Sequence, residues 1–243
     1  MEQISLKAEE LFSIGGFGIT NSLFLTFLVS VLLISFAFLI YRKISIVPLK
    51  LQGAAELVIE WFLDLMSGTL GSKEKAEKYF PLVATIFIFI LTSNLLGIFP
   101  GVGSFTIKNG AHNVPLFRSP AADLNFTLAF AVISVIVTNI LGIFAVGIFP
   151  HFKKFFNFQN PIKFFIGILE LVSEFAKIIS LSFRLFGNVF AGEVLLTIIF
   201  FLVPYFVPLP FLLLELFVGL IQAFLFAMLT LVSISLHTSV EEH

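Results

Sequence analysis

Long apolar runs without a charged residue constrain the fold of this chain more than any other feature. The first run covers residues 18–40, and two more cover residues 80–100 and 125–149. A helix of about 20 apolar residues crosses the hydrocarbon core of a bilayer, which is roughly 30 Å thick. Charged residues make up only 12% of the sequence, about half of their share in an average soluble domain. The chain therefore has too little polar surface for a water-soluble globule, and the runs predict membrane-spanning helices.

The last apolar stretches are longer than a single membrane crossing. Residues 164–202 contain no proline, and as one helix they would extend about 60 Å, twice the hydrocarbon thickness. Such a helix must tilt steeply, follow the interface or protrude. Three prolines within residues 203–210 predict a turn, and residues 211–237 predict a second long helix. We therefore predict an all-α polytopic membrane protein, a single membrane domain over residues 1–243, with about five transmembrane helices and a long tilted helical hairpin at its end.

Residues 51–66 differ from these runs because acidic side chains recur in them. The acids are spaced four residues apart and so share one face of a helix, at Glu56, Glu60 and Asp64. The opposite face is apolar, with Val58, Phe62 and Leu65. This pattern predicts an amphipathic helix that lies on the membrane surface or against a partner. An ordinary amphipathic helix without a specific function explains the segment equally well.

Lysine and arginine are distributed unevenly between the segments that join the runs. Residues 41–79 and 150–163 hold nine of them, whereas the segments on the opposite side hold only Lys7, Lys108 and Arg118. Because short segments rich in Lys and Arg stay in the cytoplasm, we predict an outside N-terminus and a cytoplasmic C-terminus. The first run is longer than the apolar part of a signal peptide, so it is expected to remain as an anchor.

An arginine within the fourth predicted helix requires an explanation. Arg184 lies in the apolar segment FRLFGNVFAGE, and placing its permanent charge in lipid costs at least ~2.5–3.5 kcal/mol. Polar or small residues spaced three and four apart form one helix face around it: Glu170, Ser173, Lys177, Ser180, Arg184, Gly187 and Ala191. Its neighbours one turn away, Ser180 and Asn188, are not carboxylates. The pattern favours a partner from another protein, and a structural arginine that reaches the headgroups or pairs within the chain is the alternative.

Two carboxylates lie within the predicted hairpin. Glu193 follows Arg184 by nine residues and faces about half a turn away from it. Glu215 shares a face of the last helix with Gly219 and Gln222. Intramembrane carboxylates typically mark water-filled paths or proton relays, so these residues are candidates for such a path. A protonated glutamate that only hydrogen-bonds a neighbouring helix is the alternative.

Other kinds of site are not indicated. The chain has no cysteine, and its four histidines are scattered, so we predict no thiolate chemistry, no metal site and no cofactor. It lacks a phosphate-binding loop of the G-x-x-x-x-G-K-[ST] type, and the nearest segment, GSKEK at residues 71–75, does not have the required glycine spacing. No basic run favours nucleic acid. The chain is therefore expected to bind no nucleic acid and not to be an enzyme on its own.

The chain resembles subunit a of the membrane sector of F-type ATP synthases. The most specific similarity is SLSFRLFGNVFAGEVLL at residues 180–196. It extends to LIQAFLFAMLTLVSISL (220–236), SPAADLNFTL (119–128), TSNLLGIFP (92–100) and the SVEEH tail (239–243). The resemblance covers most of the chain in the order expected for that family, whereas the first 17 residues and the 101–118 loop show no such match.

The resemblance implies roles for individual residues. Arg184 falls on the family's essential arginine, and the positions that line its proton path fall on Asn188, Glu193 and Gln222. Glu215 stands where family members often have histidine, so the local relay chemistry of this chain departs from the family pattern. Further positions match the polar stripe or the start of the third span: Glu170, Ser180, Asp123 and Asn125.

The resemblance also implies a mechanism, that of the stationary channel subunit in a rotary motor. The compact five-span form and the outside N-terminus fit a bacterial plasma membrane, and an organelle is the alternative. The hairpin would lie against a rotating ring of c subunits, with peripheral-stalk b subunits and the lipid bilayer as further partners. Two offset half-channels, separated by Arg184, would carry protons to and from the ring. A secondary transporter with a midplane ion site is the alternative, but three ordinary spans followed by one long hairpin lack the repeats of that class. H⁺ is the expected ion, and Na⁺ remains open.

Overall fold

The structure is a computed structural model of the chain, and it describes residues 8–42, 50–99, 105–109, 112–155 and 160–238. These residues form short strands and helices in the order β1 (Glu10–Ile14), β2 (Phe17–Thr20), α1 (Asn21–Arg42), α2 (Lys50–Leu70), α3 (Lys73–Ile98), β3 (Thr106–Asn109), β4 (His112–Pro115), α4 (Leu124–Val146), α5 (Ile148–Phe155), α6 (Pro161–Leu202) and α7 (Pro208–Thr238). A 3₁₀ turn at Pro120–Ala122 precedes α4. The predictions that involve Lys7, Lys43 and the 239–243 tail lie outside these residues.

Five helices in the described part of the chain are long and apolar enough to cross a membrane, namely α1, α3, α4, α6 and α7. This confirms the prediction of an all-α polytopic membrane protein. The final hairpin consists of α6, with 42 residues, and α7, with 31 residues. Both are much longer than the roughly 20 residues that one crossing requires.

The predicted starts of the first two spans were wrong by several residues. Residues 18–20 belong to β2 rather than to α1, because Gly15 and Gly16 turn the chain at positive φ and β2 pairs back onto β1. Glycine adopts positive φ without the steric cost of a side chain. α3 begins at Lys73 rather than at residue 80, since its first two turns carry exposed charged residues and lie before the apolar run.

The ends of the later spans also differ from the prediction. α4 stops at Val146 rather than at residue 149, because Gly147 has a φ of 97° that ends the helix. The chain then forms α5, a short helix that the sequence did not reveal. α7 begins at Pro208, so two of the three prolines assigned to the turn lie in its first turn, where a missing backbone N–H is tolerated.

Two small antiparallel hairpins, β1–β2 and β3–β4, were not predicted. Both lie beside the start of α1, where Asn21 connects them. The backbone N–H of Asn21 donates to the Glu9 carbonyl at 3.0 Å, and its Nδ2 donates to the Pro115 carbonyl at 3.3 Å. The hairpins therefore mark the end of the bundle at which α1 begins.

The predicted amphipathic helix is present as α2, although it extends over Lys50–Leu70 instead of residues 51–66. Its acidic face is exposed, with Glu56, Glu60 and Asp64. Its buried side chains pack against α3 and α7, with Phe62, Met66 and Leu70. Val58, which the sequence placed opposite the acids, is 57% exposed, so the chain itself covers only part of the apolar face.

The core lies between α3, α4, α6 and α7, and small side chains allow these helices to approach closely. Ala131, Ala223 and Ala227 are fully buried. At Gly219 the backbone of α7 meets α3: Asn94 Nδ2 donates to the Gly219 carbonyl at 2.9 Å, and a Cβ at Gly219 would lie 3.2 Å from Asn94 Cβ. Small residues are the usual means of close helix packing in membranes. This packing fixes the position of α7 against the rest of the bundle.

Candidate ion-conducting site

The polar stripe of α6 faces outward around Arg184. α6 presents the stripe as one unbroken helix because its only proline, Pro161, occupies the first helical position. The Arg184 side chain is exposed, and its Nη2 donates to Ser180 Oγ at 3.2 Å. Among the residues that the structure describes, no carboxylate lies within 4.0 Å of its guanidinium. Gly187 and Asn188 are exposed beside it, so a permanent cation lies on an outer face without a counter-charge from the described part of the chain.

The predicted stripe is not open along its whole length. Glu170 forms an ion pair with Lys154 of α5. Lys177 donates to Glu174 at 2.5 Å, and its side chain is 29% exposed. Stripe residues within 180–191 are exposed throughout. The open part of the stripe is therefore centred on Arg184, and the ionic contacts lie nearer the start of α6.

α7 places Gln222 beside Arg184. The two side chains line one small groove between α6 and α7, together with Leu181, Leu185, Phe226 and Leu229. Gln222 is only 9% exposed, and its amide can both donate and accept hydrogen bonds. The groove thus gives the arginine a neutral polar neighbour on the adjacent helix.

Glu193 and Glu215, which the sequence assigned to one path, are neighbours. Glu215 is 8% exposed and reaches α6 at Gly192, where a Cβ would lie 2.8 Å from Glu215 Oε1. Glycine at this position is required for the carboxylate to come so close to the α6 backbone. Glu215 Oε2 is buried and has no hydrogen-bond partner within the described ranges. The two helices therefore bring two carboxylates together on the far side of Arg184 from Glu170.

Arg118 joins this group, and its role was not recognised in the sequence, where it counted only as a loop charge. Its Nε lies 3.6 Å from Glu193 Oε2, and its guanidinium lies 5.9 Å from the centre of the Phe190 ring. Arg118 is 8% exposed. Ser119 packs so tightly on α3 that a Cβ at Gly97 would overlap it. A rigid loop thus holds a cation against one of the two carboxylates.

Asp123 and Asn125 lie at the start of α4, where Asp123 has a structural role. Asp123 Oδ1 accepts a hydrogen bond from the Asn125 backbone N at 2.9 Å and caps the helix. Asp123 Oδ2 accepts from Ser22 Oγ at 2.6 Å and so ties α1 to α4. The Asn125 side chain is exposed. In the described structure, neither side chain forms a hydrogen bond or ion pair with the other candidate residues, and their assignment to a half-channel stays a prediction.

The arginine, the glutamine and the two neighbouring carboxylates all lie on the hairpin of α6 and α7. A permanent cation that faces outward, with one buried and one partly exposed carboxylate on the same hairpin, is characteristic of ion translocation rather than of a lipid-facing anchor. Fold and site therefore define a polytopic membrane protein of the ion-conducting class.

Comparison with known proteins identifies the family. The model of the ATP synthase A chain family matches residues 23–235. ATP synthase subunit a of Moorella thermoacetica is 36% identical over 230 residues, which cover 95% of this chain and 96% of that protein. ATP synthase subunit a of Campylobacter jejuni is 38% identical over 218 residues, 88% of each chain. ATP synthase subunit a 1 of Pelobacter propionicus is 36% identical over 211 residues, 86% of this chain and 83% of that protein.

The chain belongs to the ATP synthase subunit a family, the proton-channel stator subunits of F-type ATP synthases. It is a membrane-embedded component of that complex, and the alternative of a secondary transporter is not favoured.

Proposed function

We propose that this chain forms two offset half-channels and that Arg184 is the barrier between them. The outer half-channel is lined by Asn188, Glu193, Glu215 and Gln222. The cytoplasmic half-channel follows the stripe past Ser180 towards Glu170. Asp123 and Asn125 support the outer half-channel by fixing the start of α4. A ring of c subunits takes up a proton from one half-channel and releases it into the other after rotating past Arg184.

The position of Arg184 is the observation that supports this proposal most strongly. It is exposed on an outer face of the described structure, and no carboxylate of the described residues lies within 4.0 Å of it. A cation within an apolar helix is costly unless another charge approaches it. The carboxylates of the ring are such charges, and they would meet Arg184 one at a time as the ring turns.

The permanent charge of Arg184 explains how rotation and proton flow are coupled. A guanidinium stays protonated at every physiological pH, so it favours the ionised form of each ring carboxylate that reaches it. It also repels protons that would pass directly between the half-channels. One elementary charge crossing the membrane releases ~2.3 kcal/mol per 100 mV, and a direct leak would dissipate this energy without rotation.

The proposed setting is the plasma membrane of a bacterium, with the N-terminus outside and the C-terminus in the cytoplasm. The excess of Lys and Arg in residues 41–79 and 150–163 supports this orientation. Peripheral-stalk b subunits would hold the chain still while the ring rotates. Nucleotide chemistry belongs to other subunits, and this chain is not catalytic on its own.

The proposal is tested by ATP-driven acidification of inverted membrane vesicles that contain the assembled complex. Arg184→Ala should abolish pumping and allow passive proton leakage, because the barrier between the half-channels is removed. Arg184→Lys should also lose most of the pumping, since an ammonium lacks the guanidinium fork and can lose its proton when buried. Assembly is checked first by copurification of the complex.

Arg42→Ala is the matched control. Arg42 is an exposed arginine at the end of α1, and its guanidinium lies 4.5 Å from the centre of the Phe38 ring. Its removal should leave pumping close to that of the unmodified protein. Near-normal pumping in an assembled Arg184→Ala complex would make Arg184 a structural residue and would contradict the proposed mechanism.

A further inference from the structure

A buried carboxylate lies on the opposite side of Arg184 from Glu193. Glu174 precedes Arg184 by ten residues and Glu193 follows it by nine. At 1.5 Å per residue, the two carboxylates lie about 15 Å and about 14 Å from the arginine along α6. Glu174 is 8% exposed. Because a buried carboxylate is unfavourable unless it is hydrogen-bonded, the groups around Glu174 indicate what it can do.

Three helices supply partners to Glu174. Its Oε1 accepts from Lys177 Nζ at 2.5 Å and lies 3.4 Å from His237 Nε2 of α7. Its Oε2 accepts from Asn139 Nδ2 of α4 at 3.2 Å. Because Asn139 uses its amide N to donate, its Oδ1 accepts from His151 Nε2 of α5 at 3.2 Å. A continuous set of hydrogen-bonding groups therefore runs from the α6 stripe to α5.

The hydrogen bonds of His237 determine where its protons lie. Its Nδ1 is 2.7 Å from the Ser233 carbonyl oxygen, and because a carbonyl only accepts, Nδ1 must carry a hydrogen. The lone pair of Nε2 would then face Glu174 Oε1 unless a proton lies between the two atoms. That proton resides either on Nε2, which gives an imidazolium, or on Oε1, which gives a carboxylic acid. Nε2 forms no hydrogen bond with a described residue in this arrangement, so a proton can pass between Nε2 and Oε1 only when the two side chains come closer than their present 3.4 Å.

We propose that Glu174 and His237 form a proton-exchange site that serves the cytoplasmic half-channel. In each exchange the Nε2–H bond breaks as the Oε1–H bond forms, so that an imidazolium and a carboxylate become a neutral imidazole and a carboxylic acid. Lys177 connects the site to the face where the ring passes, because its partly exposed Nζ contacts Oε1 directly. This inference depends on the proposed function. It places proton exchange at Glu174, which is one turn nearer to Arg184 than Glu170 is.

Few other charges face His237. α6 contributes Glu174 and Lys177, and α5 contributes His151, whose ring centroid is 5.7 Å from that of His237. α4 has no charged residue. The acids of α2 and the charged residues of α3 are exposed, while Tyr79 of α3 is buried in an apolar cluster with residues of α7. The exchangeable proton of His237 is therefore controlled mainly by Glu174.

His151 is suited to pass protons onward. Burial, followed by the nearby charges of His237 and Lys154, lowers the pKa of His151, so its ring is neutral at neutral pH and is available to accept a proton. Both histidine side chains approach α4 at Gly142, where a Cβ would lie 2.9 Å from His237 Cβ and 3.0 Å from His151 Cε1. The absence of a side chain at Gly142 permits this arrangement.

The test measures ATP-driven pumping by inverted vesicles, whose outer surface is the cytoplasmic side, while the external pH is varied over about pH 5–8. His237→Gln should slow pumping about tenfold and flatten its dependence on external pH. A positioned acid–base group increases the rate of proton transfer by roughly 10²–10⁴-fold. Because water replaces part of this contribution, the expected loss of rate is smaller. Glu174→Gln should give the same profile, and the double variant should be no slower than either single variant.

Ser134→Ala is the structural control. Ser134 and Thr230 form a buried hydrogen bond of 2.9 Å between α4 and α7, so this variant removes a contact between the same helices without removing a titratable group. It should keep the pH profile of the unmodified protein. The exchange site is wrong if assembled His237→Gln or Glu174→Gln complexes keep that profile, or if Ser134→Ala flattens it equally. Arg184→Ala in the same assay tests the proposed function separately. If Arg184→Ala abolishes pumping while His237→Gln keeps the pH profile of the unmodified protein, the exchange site is wrong but the proposed function stands.

Discussion

Arg118 shows how strongly one loop residue affects the outer carboxylates. Its guanidinium is 8% exposed and lies 3.6 Å from Glu193 Oε2. Ala121 and Ala122 are fully buried in the same segment, so the loop cannot move without disturbing the bundle. An ionised Glu193 therefore has a counter-charge nearby, while Glu215, its neighbour across Gly192, contacts α6 without an ion pair to any described residue.

Arg118→Gln should slow ATP synthesis that is driven by an imposed proton gradient, because Glu193 loses its counter-charge in the proposed outer half-channel. The Glu193 side chain is 39% exposed, so the coupling between the two residues should be modest, about 1 kcal/mol or roughly fivefold in rate. Arg118→Lys should keep most of the activity. A double-mutant cycle with Glu193→Gln measures the coupling, and strictly additive effects would show that the pair does not act together.

At the scale of the helices, one glycine of α6 allows α5 to pack closely against it. A Cβ at Gly167 would overlap the carbonyl oxygen of Phe155, the last residue of α5. The same contact positions the ion pair between Lys154 and Glu170. A side chain at residue 167 would therefore separate the two helices and displace the imidazole of His151.

Gly167→Ala should lower the stability of the purified chain in detergent by about 1–3 kcal/mol, the usual effect of overpacking. Gly68→Ala in α2 is the control, because nothing lies within 4 Å of a Cβ there. Replacing an unconstrained helical glycine is stabilising by roughly 0.5–1 kcal/mol. Thermal unfolding of both variants measures the difference, and equal melting temperatures would show that α5 is not packed tightly on α6.

Features that lie within one helix could be predicted from the sequence, whereas contacts between helices could not. The spacing of three and four residues placed Arg184 and Gly187 on one face, because helix geometry alone fixes that relation. The start of α3 was predicted too late, because the prediction followed the apolar run and the first residues of the helix, from Lys73 on, are charged. The pairing of Arg118 with Glu193 depends on how the loop packs between α3 and α6, and no local pattern contains that information.

At the scale of the whole molecule, the described bundle leaves the polar face of α6 around Arg184 uncovered. Apolar side chains surround this face, and many of them are exposed, such as Phe183 and Ile179. Within it, Ser180, Arg184 and Gly187 are exposed as well. Lipid covers apolar side chains, but it cannot satisfy a guanidinium at depth. A closely packed protein surface is the partner that this face requires, and the small residue beside the arginine allows a close approach.

Gly187→Leu tests whether another helix packs against this face. Nothing lies within 4 Å of a Cβ at Gly187, and leucine is a better helix former than glycine by about 0.8 kcal/mol, so the isolated chain should keep or gain thermal stability. In the proposed mechanism, a helix of the ring could then no longer approach Arg184 closely, and ATP-driven acidification by vesicles should therefore be lost. Gly68→Leu is the matched control, because nothing lies within 4 Å of a Cβ at Gly68 on α2 either. Vesicles with this variant should pump far better than vesicles with Gly187→Leu. Pumping by Gly187→Leu at the unmodified rate would mean that lipid, rather than a packed subunit, covers the face.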